Sequence, residues 1–396
     1  MYVRHIHVQH LKRLRDLRLD FEHQGELRMW TVLIGENGTA KTTILQAIAL
    51  AAAGSKQVNA LALPIVKHLR DRRGDDPMSI AVDFDFTPQS LDVREVHPGI
   101  RGSRKRLGLH SEVSLPTRGS TSLDGAASYT FDGKRSKNKS GDPLDAARDV
   151  HLPLWFVAGY GISRVLPDAN FEPTLDLPTI DRLRPLFNSR ARLASSSFSN
   201  HFLKKDQEEG RRAGTTSRTY SRMLNEAIKL GGSSLLPDIS KLELRGRGGA
   251  ASAGDLIESD RFHQRMGRED QLIAGVALSH GYQSTFAWIA DLIGHVLLEA
   301  KTELRTTEME GLVLIDEIDL YLHPTWQATF ITALRKIFPR IQFVATTHSP
   351  IVLAGLSAHE VVRLIVDPAT GDVVRGAWDP RTGSLVPTTA SKLTQP

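Results

Sequence analysis

The chain has 396 residues, 40% hydrophobic and 24% charged, enough to bury one large core or two lobes. It has no cysteine, which excludes a disulfide framework, a thiolate metal site and a cysteine nucleophile, and its net charge of +5 does not by itself imply nucleic-acid binding. No apolar run approaches the roughly 18 residues of a membrane span, and Met1-Tyr-Val-Arg-His-Ile6 lacks the apolar stretch of a signal peptide, so a cytoplasmic protein without a membrane partner is expected.

In chain order, Val3–Val8 and Leu17–Phe21 alternate apolar and polar residues, the period of half-buried strands, and Trp30–Ile34 is an apolar strand. Lys41–Ala53 predicts a buried helix stopped by Gly54. Ser79–Phe86 alternates again. Residues 100–150, rich in Gly, Ser, Lys and Asp, predict a long mobile hairpin with one strand at Ala127–Asp132. Leu152–Ala158 predicts a buried strand running into Gly159–Arg164. Residues 181–236 predict polar helices broken by Gly210 and by Gly231-Gly232, and Leu242–Leu244 with the glycine-rich Arg245–Gly254 predicts a hairpin. Ser284–Leu304 predicts an amphipathic helix with Phe286, Ile289, Ile293, Val296 and Leu297 on one face, and Trp326–Phe338 predicts another. The tail after Leu385 is expected to be disordered. No repeat and no sustained heptad is present.

Basic residues cluster twice, at Arg101, Arg104, Lys105, Arg106, Arg118, Lys134, Arg135, Lys137 and Lys139, and at Arg211, Arg212, Arg218 and Arg222. Solvated loops carry such runs, and so do surfaces that contact a phosphate backbone; nucleic acid is therefore one candidate partner.

Three segments carry chemistry. The first is Gly35-Glu36-Asn37-Gly38-Thr39-Ala40-Lys41-Thr42-Thr43, between an apolar strand and a helix. That is the context of a phosphate-binding loop, in which backbone N–H groups and the helix N-terminus face phosphates. Lys41 would reach the β and γ oxygens, and Thr42 would sit on Mg²⁺. Ala40 stands where the pattern G-x-x-x-x-G-K-[ST] has glycine; its methyl crowds the phosphate unless the residue is already helical. The second segment is the apolar strand Leu312–Ile315, which ends in Asp316-Glu317. Asp316 at the dry strand tip suits Mg²⁺, and Glu317 suits polarisation of an attacking water. The third is Ile341-Gln-Phe-Val-Ala-Thr-Thr-His348, a strand ending in a histidine able to hydrogen-bond a γ-phosphate. Individually, an N-cap pair and a satisfied core histidine would explain the last two. Leu278-Ser279-His280-Gly281-Tyr282-Gln283 adds an anion site of N–H groups at a helix start, although an ordinary N-cap reads the same way.

Together these segments resemble the ABC-type ATPase head of the SMC, RecF and OLD group, over most of the chain. Gly35–Thr43 matches Walker A, Leu278–Gln283 the signature, Leu312–Glu317 Walker B and His348 the switch histidine. The stretches Asp316–Gln327 and Phe338–Pro350 are similar to the stand-alone AAA-family ATPases of bacterial defence systems, OLD-like and Septu PtuA-like. The resemblance implies an α/β P-loop NTPase: an ABC-type head with an N-terminal antiparallel β subdomain, a central mostly parallel sheet and a helical insert. It divides the chain into an N-terminal ATPase lobe (1–180), an insert (181–270), a C-terminal lobe (271–385) and a tail (386–396). It further implies ATP and Mg²⁺ as ligands, ATP hydrolysis, and a homodimer or higher oligomer in which Ser279 and Gly281 of one copy close on the nucleotide of the other. A clear Q-loop glutamine is missing, and Tyr160 and Arg164 are the candidate replacements. No nuclease motif is apparent, so a separate effector protein such as a nuclease is expected, in antiphage defence. A RecF-like DNA clamp and a scaffold that holds ATP with negligible turnover are the alternatives.

Overall fold

The computed structural model describes residues 1–86, 97–98, 100, 107–117, 119–136, 141–164, 166, 177–194, 197–208, 215–244, 260–300, 303–379 and 384–388. The chain opens with strands β1 (Tyr2–Leu11), β2 (Leu14–Asp20) and β3 (Trp30–Ile34), followed by helix α1 (Lys41–Ala53). Next come β4 (Met78–Asp85), β5 (Leu107–Leu115), β6 (Asp124–Phe131), β7 (Lys134–Arg135), α2 (Pro143–Asp149) and β8 (Val157–Tyr160). An insert holds α3 (Pro178–Leu183), α4 (Phe198–Glu208), α5 (Thr215–Ile228), β9 (Ile239–Glu243), β10 (Arg261–Met266) and β11 (Glu269–Ala274). The C-terminal part is α6 (His280–Glu299), β12 (Gly311–Ile315), α7 (Pro324–Ile337), β13 (Ile341–Thr346), β14 (Val361–Val366), β15 (Val373–Asp379) and β16 (Ser384–Pro387).

Two sheets organise the molecule. The first, in the order β2-β1-β4-β5-β6-β7, is antiparallel throughout. Its two-residue period buries Ile6, Val8, Leu17, Leu19, Ile80 and Val82 on one face and leaves His5, His7, Asp16 and Asp20 on the other. The second has the order β8-β12-β13-β3-β14-β15-β16. Its first five strands run parallel, and β15 and β16 close it antiparallel. Both faces of this sheet are covered, so its strands β8, β12 and β13 are buried at every position. Leu312, Leu314 and Val344 face one core with α1 and the first sheet, while Val313, Ile315 and Phe343 face a second core with α6 and α7. Helix α1 lies between the two sheets and is buried at every position except Thr42. That single opening faces the site described below.

Several sequence expectations change. Residues 107–115 form a strand that pairs with β4 over its whole length; its glycine and serines obscure an alternation that is present at Leu107, Leu109, Val113 and Leu115. Asp142 accepts hydrogen bonds from the backbone N–H groups of Leu144 and Asp145, and Pro143 follows it, so a capped helix stands in the stretch expected to be a mobile hairpin. Pro153 turns residues 153–155 into a 3₁₀ turn, which delays the strand expected at Leu152 to Val157. The insert is not wholly helical, because β9, β10 and β11 form a three-stranded antiparallel sheet. The expected hairpin segment Arg245–Gly254 and the break at Gly210 lie outside the described residues; Gly231-Gly232 joins a short hairpin. The helix expected at Ser284 begins at His280, ends at Glu299, and is buried nearly all round rather than on one face. Residues Ser384–Pro387 pair with β15, so the chain after Leu385 begins as a strand, and the remainder of the expected tail lies outside the described residues. Of the two basic clusters, only Lys134, Arg135, Arg218 and Arg222 are described. Among the described residues no helix is long and apolar enough to cross a membrane.

Candidate functional site

The parallel strands β3, β12 and β13 end side by side, and their C-terminal tips meet the N-terminus of α1. In an open α/β sheet this is where ligands bind. A cavity of about 340 Å³ opens there, within the range of small-molecule sites. The loop after β3 lines it with Asn37, Gly38, Thr39, Ala40, Lys41, Thr42 and Thr43; β12 adds Asp316 and Glu317, and β13 adds Thr346 and His348. Three segments far apart in sequence thus converge on one space.

The loop geometry explains its residues. Gly38 has φ +83°, a left-handed value that glycine adopts at little cost. The Lys41 ammonium donates to the carbonyls of Gly35 (2.8 Å) and Glu36 (3.0 Å), so these two predicted residues shape the loop without lining the cavity. Burial lowers the Lys41 pKa, while Asp316 and Glu317 act to raise it. Ala40 is not helical: it sits at φ +58°, ψ +23° at the N-cap of α1. Its methyl is therefore carried on a left-handed backbone, which the sequence expectation did not foresee.

The carboxylates are held from several sides. The Thr42 hydroxyl donates to Asp316 Oδ2 at 2.8 Å, and the Thr346 hydroxyl donates to Asp316 Oδ1 at 2.6 Å. Thr346 Oγ1 also accepts from the Glu317 N–H at 2.8 Å. Glu317 itself lies at φ +47°, so the chain turns sharply between the two acids and both reach the cavity. The Asp316 carboxylate, 7% exposed, and the Thr42 hydroxyl form the hard-oxygen pair that suits Mg²⁺ completed by phosphate and water. His348 is exposed at the cavity rim.

The remaining predicted residues lie elsewhere. Ser279 caps α6 from an exposed position, its hydroxyl makes no cap hydrogen bond, and it does not line this cavity. Gly281 is buried, and a side chain there would meet the Tyr321 carbonyl at 2.5 Å, so only glycine fits. Tyr160, expected as a Q-loop substitute, does not line the cavity: it is fully buried and its hydroxyl donates to Asp291 at 3.1 Å, in the core beneath α6. Arg164 is also buried, and its guanidinium bonds to the backbone of Asp316 and Glu317 rather than facing the cavity.

Sequence reasoning missed Lys12 and Arg13, from the turn between β1 and β2, which line the cavity. Lys12 Nζ lies 3.3 Å from Thr43 Oγ1, with its pKa lowered by burial, and Arg13 bridges the carbonyls of Gly38 (3.5 Å) and Gly371 (3.3 Å). A basic pair at a hairpin turn was the only signal. Thr346 and Thr347 were also missed; Thr347 donates to Asp319 and ties the segment after Glu317 to the His348 loop.

Two family models match the two halves of this arrangement. A model described as an AAA ATPase domain matches residues 1–152, and one described as an AAA domain, putative AbiEii toxin, Type IV TA system, matches residues 174–354. Relatives include the Septu protein PtuA of Bacillus mycoides, 24% identical over 92% of this chain, and the Retron Ec83 probable ATPase of Escherichia coli, 24% identical over 90% of it. The chain spans 40% of that PtuA and 70% of that retron protein. Among solved structures, an SMC head bound to the C-winged helix domain of ScpA superposes with a TM-score of 0.54 over 96% of this chain and 99% of its own, at 14% identity. At that identity the likeness speaks to fold. The chain is thus similar in its two halves to AAA-type ATPase domains, along most of its length to proteins named for Septu and retron systems, and in fold to an SMC head.

Proposed function

We propose that the protein binds and hydrolyses Mg–ATP in the 340 Å³ cavity, working as a dimer that drives a separate effector. The observation that carries this reading is the convergence of Thr42, Asp316, Glu317 and His348 on one phosphate-sized space, with Thr42 and Asp316 in hydrogen-bond contact. Loop N–H groups and Lys41 bind the phosphates. Thr42 and Asp316 would hold Mg²⁺, which would supply electrostatic stabilisation of the charge that develops on the phosphates. Glu317 accepts the proton of the attacking water, and His348 hydrogen-bonds the γ-phosphate.

The signature residues support a site completed by a second copy. Ser279 and His280 at the start of α6 are exposed and stand outside this chain's own cavity, where the helix N-terminus could meet phosphate from another copy. The relatives named for Septu and retron systems favour a role in defence, with the effector on a different polypeptide. The test is ATP turnover per subunit against protein concentration. Turnover that rises with concentration supports the reading. Turnover absent at every concentration in an ATP-bound protein points instead to a nucleotide-holding scaffold.

A further inference from the structure

The peptide turn between the two acids is held by a buried arginine. Strand β8 pairs in parallel with β12 up to Tyr160 and Ile315, and the Asp316 N–H continues the ladder to the Tyr160 carbonyl at 2.8 Å. The chain leaving β8 then folds across the tip of β12. This places Arg164, 1% exposed, behind the turn. Its Nη1 donates to the Asp316 carbonyl at 3.0 Å and its Nη2 to the Glu317 carbonyl at 2.7 Å. Its Nε has no acceptor among the described residues.

This is a costly arrangement. A buried guanidinium loses its hydration, and here it recovers two carbonyls and the attraction of Asp316, Asp319 and Glu317. Burial lowers its pKa to about 10, which keeps it charged at neutral pH. In an extended strand consecutive carbonyls point to opposite sides; here, where Glu317 adopts φ +47°, both accept from one guanidinium. Arginine's planar fork matches that pair of acceptors, and a lysine ammonium does not. On the other side of the turn, Thr346 holds the Glu317 N–H and the Asp316 carboxylate.

We infer that Arg164 is a positioning residue for hydrolysis: by clamping the Asp316 and Glu317 carbonyls it holds the left-handed turn that aims the Glu317 carboxylate into the cavity. It does not line the cavity, so it governs the rate of the chemical step and not the affinity for ATP. The inference rests on the ATPase reading above. It also gives the segment after β8 a direct hold on the catalytic acid.

The test uses the full chain with Arg164→Lys and Arg164→Gln, alone and combined with Glu317→Gln, and measures kcat, KM, ATP affinity and thermal melting. Misaiming a catalytic group costs about 10²-fold, so kcat falls by about that factor in Arg164→Gln and by at least roughly tenfold in Arg164→Lys, with ATP affinity within about threefold of wild type. In the Glu317→Gln background neither substitution lowers turnover further, because the group being aimed is already gone. Wild-type kcat in Arg164→Lys, an equal loss of ATP affinity, additive losses in the double variants, or loss of cooperative melting in both single variants overturns the inference. A wild type no faster than Glu317→Gln sinks the ATPase reading and the inference with it. An active wild type with an equally active Arg164→Gln sinks only the inference.

Discussion

Ala40 holds a left-handed backbone at the entry to α1, a conformation that costs an L-residue about 1–2 kcal/mol. Glycine removes that cost but gains roughly 0.4–1 kcal/mol of unfolded-chain entropy. Ala40→Gly is therefore expected to stabilise the fold by up to about 1.5 kcal/mol, read as a higher urea midpoint; a lower midpoint contradicts the strain assigned here. Glu317→Gln keeps the shape of the acid and removes its basicity, so turnover falls by about 10²–10⁴-fold with ATP binding retained, measured by steady-state hydrolysis beside nucleotide titration. Thr346→Val leaves the Glu317 N–H and Asp316 Oδ1 each without the hydroxyl and costs about 1–3 kcal/mol for the unmet groups, again read by urea unfolding. The acids, the Lys-Thr pair and His348 were legible in the sequence because each sits at the tip of an apolar strand or the start of a helix. Lys12, Arg13 and the clamp made by Arg164 were not, because their partners are backbone atoms or come from distant parts of the chain. Tyr160 shows the converse: placed by sequence near the nucleotide, it is aimed by the strand's two-residue period into the core.

At the scale of elements, the solvent face of the first sheet carries histidine–carboxylate pairs across neighbouring strands. His5 Nδ1 lies 2.7 Å from Asp20, and His110 lies 2.6 Å from Asp83 and 3.0 Å from Glu112. The hydrogen bond to Asp20 raises the His5 pKa above 6.5, and at His110 burial works downward but is outweighed by Asp83 and Glu112. A raised folded pKa means the folded state holds the proton more tightly. The stabilisation is thus complete below pH 6.5 and is lost as pH rises through the raised values. The pairs are partly solvated, so each contributes at most about 1 kcal/mol. His5→Gln with His110→Gln should lower the melting temperature below pH 6.5 and make little difference in the alkaline range; an equal drop at all pH values would contradict this. Helix α6 offers a packing test. A methyl at Gly294 would lie 2.1 Å from the Phe198 ring of α4, so Gly294→Ala should destabilise by about 1–3 kcal/mol by forcing the insert helix off α6. Long apolar or strictly alternating elements, such as α1 and β4, could be read from the sequence. The strand at 107–115 and the helix at 143–149 could not, because a glycine, serines and a short length hide what pairing and capping provide.

For the whole molecule, the central sheet unites residues far apart in the chain, β3 and β8 from the first part with β12 to β16 from the last. The cavity therefore forms only when both ATPase-like halves fold together. The head architecture was implied by the resemblance its motifs carry; the three-stranded sheet at residues 239–274 was not, since its strands are short and largely polar. The proposed site is one that two copies share, with the exposed Ser279 of one copy meeting the cavity of the other. Mixing two inactive variants, Glu317→Gln and Ser279→Arg, tests this most directly. In a shared-site dimer the mixed species holds one intact site, with Glu317 from one copy and Ser279 from the other. An equal mixture then recovers roughly a quarter of wild-type turnover, since half the dimers are mixed and each has one working site of two. A mixture as inactive as its components would show that each chain works, or fails, alone.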